Sequence, residues 1–430
     1  MDSYKWVFFL YRIDRDIGSR QKSGHTGMQK GKAMKVLILS CSTGEGHNAA
    51  GTAVRQALIR RGHEAQMMDP MIFGGERTRH NVSQAYIDTV KYTPWFFRFI
   101  YWVGSEITNA DRLSPVYWAN SLLADRLDLY IKKNEFDAVV CSHLYPAEIV
   151  SYLKNKGRYD KPFISIGTDY TLIPFWEETS CDAFVIPHRD CEAQYISRGI
   201  PEEILFPTGI PVRQGFYEAL EITQEEARKE LGLPTSGSIV LIMSGSMGYG
   251  NVVEAVRKMD SALEADEFAV VICGTNKKLE GDLRRHFPKS PQIRIVGYSK
   301  KIALYMRASD LIFTKPGGIT STEAAFMELP IVHSAPIPGC EEANRDFFRG
   351  HGMSVTGATI EEQLEAGREL LRSPKKRHWI RNAQAYNVGR QSAEDVCRLL
   401  ETMVSDPDRQ RAVNLALLWR PKRDRGEGAL

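Results

Sequence analysis

The chain has 430 residues, of which 43% are hydrophobic and 25% are charged, and its formal net charge is +3. That length is enough for two domains that each bury a core, and so small a net charge does not indicate a nucleic-acid partner. The seven cysteines show neither zinc-ligand spacing nor a disulfide framework, and no apolar run approaches the roughly 18–20 residues that span a bilayer, so we expect a cytoplasmic chain.

The beginning of the chain contains two successive patterns. Residues 1–33 are polar, basic and aperiodic, which predicts a disordered extension. The apolar run at residues 36–40 predicts a strand covered on both faces, and a helical pattern follows at residues 48–58. The loop between them contains Gly44 and Gly46, where missing side chains let another molecule approach the backbone.

His47 lies where this loop enters the predicted helix. A histidine at such a position is more often a cap or a packed polar group, but its unperturbed pKa near 6.5 also suits a general base at cytoplasmic pH. Asp169 follows another predicted strand, at residues 163–166. It is the competing base, the group that orients His47, or a turn carboxylate satisfied by local N–H groups.

Residues 92–102 form the densest aromatic stretch of the chain. Such a stretch is more often a buried core helix than a membrane contact. Its basic neighbours also suit an anionic membrane surface, with aromatic rings at headgroup depth and cations on phosphates. One helical face could be buried while the other meets lipid. The candidate membrane residues are Trp95, Phe96, Phe97, Arg98 and Trp102.

Strand and helix patterns alternate along the rest of the chain. Further strands are predicted at residues 138–141, 163–166, 183–186, 204–206, 239–243, 269–273, 293–296, 311–313 and 331–333, a charged helix at 218–231, and an amphipathic helix at 393–403. This alternation implies an α/β fold with parallel sheets, which bind ligands at the carboxyl ends of their strands. The predicted divisions are a first domain at 34–215, a second at 216–390, a closing helix at 391–404 and a basic tail at 405–430.

Two of these later strands end in glycine-rich loops that precede helices. One loop begins at Ser244, and the other reads Lys315-Pro-Gly-Gly318. The unpaired N–H groups of a helix N-terminus suit a phosphate, and Glu323, about one turn into the second helix, could accept hydrogen bonds from ribose hydroxyls. The alternative interpretation is that such a turn only lets the strand and the helix pack closely. The dinucleotide fingerprint and the P-loop spacing are both missing, which disfavours NAD and ATP chemistry.

Five short motifs fall in the order of a known family, at residues 42–48, 167–170, 209–212, 315–318 and 338–342. Through them, residues 34–404 resemble the monogalactosyldiacylglycerol synthase type of diacylglycerol glycosyltransferases, which includes processive diacylglycerol beta-glucosyltransferases. The chain is more distantly similar to the N-acetylglucosaminyltransferase of peptidoglycan lipid precursors. The resemblance implies the GT-B architecture of glycosyltransferase family 28. In that architecture two Rossmann-like domains face each other across a cleft, and a C-terminal helix packs back on the first.

The resemblance also implies roles for individual residues. It makes His47 the catalytic base, with Asp169 as its partner or rival, and places the acceptor on the first domain and the nucleotide sugar on the second. The diphosphate is then held by Ser244, Gly245, Ser246, Gly248, Gly317, Gly318 and Thr320, the uracil by Gly274, Thr275, Val296 and Tyr298, and the ribose by Glu323. Lys315 joins this donor site, and sugar hydroxyls meet Glu341 and Asn344.

The implied reaction is inverting transfer of a hexose from a UDP-hexose to diacylglycerol, at the inner face of the cell membrane. The UDP-sugar is a substrate, and no cofactor or metal is expected, because no Asp-x-Asp motif ends a strand and helix dipoles can neutralise the leaving group. Transfer of N-acetylglucosamine to a polyprenyl-linked precursor, UDP-sugar epimerisation and non-catalytic UDP-sugar sensing are the alternatives. Two departures from the family, Cys340 for its common Gln and Ile173 for its common His, leave the sugar and the headgroup contact open.

Overall fold

The computed structural model describes residues 33–41, 45–75, 113–243, 252–288, 290–337 and 339–405. Several predictions concern residues outside these ranges. They are the extension up to residue 32, Gly44, the aromatic stretch with Trp95, Phe96, Phe97, Arg98 and Trp102, the loop with Ser244, Gly245, Ser246 and Gly248, and the tail from residue 406.

The first half of the chain forms one parallel sheet in the order β2-β1-β3-β4-β5-β6. Its central strands are apolar and buried because helices cover both faces. The strands are β1 (Lys35–Leu39), β2 (Glu64–Met68), β3 (Ala138–Cys141), β4 (Phe163–Ile166), β5 (Ala183–Val185) and β6 (Leu205–Phe206). The helices are α1 (Glu45–Arg60), α2 (Pro115–Ser121), α3 (Ala124–Asn134), α4 (Leu144–Asn155) and α5 (Glu192–Ser197).

The second half repeats this arrangement in a parallel sheet of order β12-β11-β10-β7-β8-β9. The strands are β7 (Ser238–Met243), β8 (Glu267–Ile272), β9 (Ile293–Val296), β10 (Leu311–Thr314), β11 (Ile331–His333) and β12 (Ser354–Thr356). The helices are α6 (Gln214–Leu220), α7 (Gln224–Leu231), α8 (Val252–Asp260), α9 (Lys277–His286), α10 (Ile302–Ala308), α11 (Gly318–Phe326), α12 (Cys340–Gly350), α13 (Ile360–Arg372), α14 (Pro374–Asn387) and α15 (Ser392–Ser405).

The last helix, α15, packs back on the first domain, as predicted. Its Val396 and Leu400 are fully buried in one apolar cluster with Val36 of β1 and Val140 of β3. Burying each such side chain stabilises the fold by about 1.5–3 kcal/mol. At the rim of this contact, Arg61 Nη2 lies 2.6 Å from Glu401 Oε2. The chain therefore crosses to the second domain and returns to close the first.

The charged helix predicted at residues 218–231 is wrong, because the structure has two helices there, α6 and α7. The break is caused by a new helix start at Thr223. Its side chain accepts the N–H of Glu226 at 3.2 Å, and the Glu226 carboxylate accepts the N–H of Thr223 at 2.7 Å. This reciprocal capping box satisfies N–H groups that a continuous helix would have bonded internally.

Two edge strands, β2 and β12, were not predicted. The exposed and half-buried residues of β2 lack the continuous apolar run that marks a central strand. The helices of the described ranges contain no segment that is both long and apolar enough to cross a bilayer.

Candidate active site

Three neighbouring strands of the first sheet bring polar groups together. His47 lies on the first turn of α1 after β1, Ser142 follows β3, and Thr168 follows β4. These groups meet because β1, β3 and β4 are adjacent and parallel strands end at the same edge of a sheet. The imidazole Nδ1 of His47 is 3.0 Å from the carbonyl oxygen of Ser142 and 3.0 Å from Oγ1 of Thr168.

The contact with a carbonyl oxygen fixes the tautomer of His47. A carbonyl can only accept, so Nδ1 carries the hydrogen and donates it to Ser142. The lone pair of the neutral ring is then on Nε2, which is the form that a general base requires. The ring of His143 packs edge-on against this imidazole, with centroids 4.5 Å apart.

The surroundings keep both of these rings neutral. Burial lowers the pKa of His47 below its ordinary value, while the charge of Asp169 and the bond to the Ser142 carbonyl act in the opposite direction. Burial also holds the pKa of His143 well below its ordinary value, and the neighbouring His47 lowers it further. His47 is therefore unprotonated at neutral pH.

The second sheet contributes the turn that follows β10. Gly317 caps α11 and has no side chain to accept the first-turn N–H groups, so these groups and the helix dipole are available to an anion. Thr320 lies half-buried on the same first turn. Lys315, just before it, forms an ion pair with Glu341 at the start of α12, and Glu341 Oε2 accepts the N–H of Ile337 at 2.9 Å.

The loops at the strand ends of the two domains touch each other at glycine positions. A Cβ built on Gly46 would lie 3.2 Å from Ile319 Cγ1, and one built on Gly318 would lie only 2.0 Å from the carbonyl oxygen of Thr168. Real Cβ atoms do not come that close, so the second contact requires glycine. Because Thr168 also contacts His47, the imidazole lies beside the Pro-Gly-Gly turn.

Asn344 of α12 is fully buried, and its side-chain amide forms hydrogen bonds to the loop after β4 through both its nitrogen and its oxygen. Its Nδ2 donates to Asp169 Oδ1 at 2.8 Å, and its Oδ1 accepts the N–H of Tyr170 at 2.7 Å. The hydroxyl of Tyr170 is 2.9 Å from Thr322 Oγ1, and its ring lies 4.6 Å from that of Phe347. Asn344 thus joins the two domains in this structure, and its contact with a sugar stays a prediction.

Glu323 is buried on α11 and is paired with a residue that was not predicted. Arg213 donates to Glu323 Oε1 from Nε at 3.1 Å and from Nη2 at 2.7 Å. Burial raises the pKa of Glu323, and the Arg213 charge opposes that rise. Both bonds use Oε1, which leaves the predicted ribose contact to Oε2. The sequence signal for Arg213 was its place directly after the 209–212 motif, between the domains.

The residues predicted around uracil lie at the carboxyl ends of two adjacent strands. Gly274 and Thr275 follow β8, Val296 ends β9, and Tyr298 comes two residues later. Tyr298 is 57% exposed, which leaves its ring face open to stacking. The loop predicted to hold the diphosphate, outside the described residues, follows β7, and β7 lies between β8 and β10. The strand that precedes that loop therefore lies between the strand before Gly274 and the strand before the Pro-Gly-Gly turn.

Comparison with known families finds one match in each half of the chain. Residues 47–212 match the monogalactosyldiacylglycerol (MGDG) synthase family, and residues 239–338 match the glycosyltransferase family 28 C-terminal domain. These matches confirm the predicted resemblance. The first covers His47, Asp169 and the 209–212 motif, and the second covers the turn after β10.

Several curated relatives from different organisms share one protein name. The processive diacylglycerol beta-glucosyltransferase of Bacillus pumilus is 27% identical over 348 residues, which is 80% of this chain and 88% of the relative. The Staphylococcus carnosus protein of that name is 26% identical over 341 residues, covering 78% of this chain and 84% of the relative.

Comparison with solved structures shows which fold the chain has. The Staphylococcus aureus MnaA–UDP complex aligns with a TM-score of 0.58 at 14% identity, over 86% of this chain and 97% of that one. MurG of Acinetobacter baumannii aligns with a TM-score of 0.55 at 15% identity, over 86% of this chain and all of that one. The predicted GT-B fold, with two Rossmann-like domains across a cleft, is confirmed.

Proposed function

We propose that this chain transfers a hexose from a UDP-hexose to the hydroxyl of diacylglycerol, with inversion, and so makes a glycolipid. The observation that carries the proposal is the position of His47. Its ring is held as the Nε2 base on the wall of one domain, beside a helix N-terminus of the other that suits a diphosphate. The matches to MGDG synthase and to the family 28 C-terminal domain support the same reaction.

The geometry fits a single displacement. Nε2 of His47 takes the proton of the acceptor hydroxyl, the hydroxyl oxygen forms a bond to the anomeric carbon, and the bond from that carbon to the diphosphate breaks. The first-turn N–H groups of α11 stabilise the negative charge of the departing UDP. Because attack and departure occur on opposite faces of the sugar, one such step inverts the anomeric centre.

A lipid acceptor requires contact with a membrane surface. Trp118 of α2, Leu122 just after that helix and Leu129 of α3 are 52%, 82% and 69% exposed on the first domain. Large exposed apolar side chains of this kind support peripheral docking, and the basic residues in the sequence of the aromatic stretch favour an anionic surface. The proposed location is the inner face of the cell membrane.

The test is a vesicle assay with a histidine variant. Full-length protein is incubated with labelled UDP-glucose, UDP-galactose or UDP-N-acetylglucosamine over vesicles that contain diacylglycerol, and the glycolipid is identified. His47→Ala should lower turnover by at least ~10²-fold through loss of general-base catalysis, whereas His378→Ala, an exposed histidine on α14, should not. Turnover retained in His47→Ala would assign the base to Asp169.

Two other reactions are separated by the same assay. Product from a polyprenyl diphosphate lipid, and none from diacylglycerol, would replace the proposed acceptor with a cell-wall precursor. Conversion of UDP-N-acetylglucosamine to its 2-epimer without any lipid would indicate an epimerase, an activity named in the solved structure from Neisseria meningitidis. Curated relatives at 26–27% identity support the diacylglycerol reaction over both alternatives.

A further inference from the structure

The two domains meet a second time, away from the catalytic histidine. The loop after β5 carries His188 and Asp190, and His351 caps the C-terminal end of α12. One ligating atom from each of these three side chains lies within 4.8 Å of the other two. His351 comes from the other domain and is more than 160 residues from His188 and Asp190 in sequence, so no local motif indicates the group.

The contacts of His351 orient its ring towards this group. Nδ1 is 2.8 Å from the carbonyl oxygen of Phe347, which can only accept, so Nδ1 carries a hydrogen. Nε2 is 2.8 Å from Asp190 Oδ2. Because Nδ1 is engaged by the carbonyl, Nε2 is the ring atom that can bind a metal ion together with this carboxylate oxygen.

His188 supplies a third ligand at the distance that a metal needs. Its Nδ1 is 3.7 Å from Asp190 Oδ2, and its ring centroid is 5.3 Å from that of His351. Burial lowers the pKa of His188, and a hydrogen bond to the Asn387 side chain orients the ring. Metal-binding histidines commonly donate their second N–H to a carbonyl or amide oxygen in this way, as His351 also does to Phe347.

We propose that His188, Asp190 and His351 bind a divalent transition-metal ion of the zinc class, which joins the two domains. Zinc holds imidazole nitrogen and carboxylate oxygen at about 2.0–2.2 Å, so tetrahedral ligand atoms lie roughly 3.3 Å apart. The separations of 2.8 Å and 3.7 Å already bracket that value. His188 Nδ1 would exchange its present bond from the Asp190 N–H, 3.1 Å long, for the metal.

The charges around these three side chains favour a bound cation overall. The ion would lie at the C-terminal end of α12, where the helix dipole is negative, and beside the ionised Asp190. Arg189, the chain neighbour of Asp190, opposes it, so we expect moderate rather than structural-zinc affinity. The same helix carries Asn344, which donates a hydrogen bond to Asp169 of the first domain. A metal at the C-terminal end of this helix would therefore stabilise the contact between the domains without taking part in the transfer.

Metal binding to the full-length, untagged and chelator-treated protein tests this. Titration with Zn²⁺ should show saturable one-to-one binding, and Co²⁺ should give the visible absorption of a tetrahedral site. His351→Ala and Asp190→Asn should each weaken binding by about tenfold or more. Zn²⁺ should also raise the Tm of the wild type but not of these variants.

The matched control is His286→Ala. His286 also lies at a helix end and its Nδ1 is 2.8 Å from the carbonyl oxygen of Asp282, four residues earlier, yet it forms no such three-residue group with the residues that the structure describes. This variant should bind Zn²⁺ as the wild type does. The absence of one-to-one binding in the wild type would overturn the proposal. Binding that survives in both His351→Ala and Asp190→Asn would place the metal elsewhere.

Discussion

Gly318 lies where the turn after β10 meets the loop after β4, and its replacement by alanine would push the two domains apart. The added Cβ would lie 2.0 Å from the carbonyl oxygen of Thr168 and 3.1 Å from the Cα of Asp169. An ordinary van der Waals contact begins at 3.4 Å, so one wall must move by about 1.4 Å. Both obstacles are backbone atoms, which cannot swing aside as a flexible side chain can.

The expected effect on turnover is large and the effect on stability is small. A misplacement of about 1 Å between reacting groups costs on the order of 10²-fold in rate, and the displaced loop carries Thr168, which contacts His47. Alanine is a better helix former than glycine by about 1 kcal/mol, which partly offsets the strain at this first helical position. Gly318→Ala should therefore stay folded and lose about 10²-fold in turnover.

The assay follows glycolipid formation from UDP-hexose over diacylglycerol vesicles, with circular dichroism as the check on folding. The matched control is Gly281→Ala on α9, because Gly281 is also a helical glycine, a Cβ there meets nothing within 4 Å, and the residue has no proposed role in binding. We expect the control to retain turnover within a few fold. Wild-type turnover in Gly318→Ala would refute the reasoning, since it would mean that the domains do not meet at this contact during catalysis.

Three further predictions concern titrating groups. Since the pKa of His47 is lowered below its ordinary value of 6.5, kcat/KM should rise with pH around a midpoint below 6.5, and a midpoint above 6.5 would contradict the proposed base. Burial raises the pKa of Glu148 to about 8, so the folded state loses stability as pH rises from 4.5 towards 8. In urea unfolding at pH 7, the free energy of unfolding of Glu148→Gln should exceed that of the wild type by roughly 3 kcal/mol, and the difference should be small at pH 5. Burial lowers the pKa of His333 to about 3, so stability is lost as pH falls from 6.5 towards 3. The wild type should lose about 1.4 kcal/mol per pH unit more than His333→Asn over that range, and parallel slopes would exclude His333 as the cause.

Strands whose side chains are buried on both faces were the easiest to predict. The strands β3, β4 and β11 are of this kind and begin and end at the predicted residues. The edge strand β9 also has the predicted bounds although its Arg294 is exposed, because its apolar residues end directly before Gly297. The edge strand β2 was missed because it pairs with another strand on one side only. Its residues are therefore exposed or half-buried and do not form an apolar run. The break between α6 and α7 was missed although Thr223 and Glu226 have the spacing of a capping box.

For the candidate site, sequence order predicted which loops come together but not which side chains pair. Parallel strands bring their carboxyl ends to one edge, so the neighbourhood of His47 and Thr168 follows from topology. The pairing of Arg213 with Glu323, and of Asn344 with Asp169, depends on how one domain sits against the other. No local pattern encodes that relation, because each pair joins residues more than 100 positions apart.

These cross-domain pairs link His47, the proposed base, to the proposed donor side of the cleft. The charge of Asp169 raises the proton affinity of His47, and Asp169 accepts a hydrogen bond from Asn344 of the other domain. The turn proposed to face the diphosphate contacts the same loop through Gly318 and Thr168. Opening the cleft would release Asp169 from Asn344 and admit water, which screens the charge that acts on His47. Base strength and donor alignment therefore depend on the same closure, so a chain with separated domains would hold a weaker base as well as an incomplete diphosphate site.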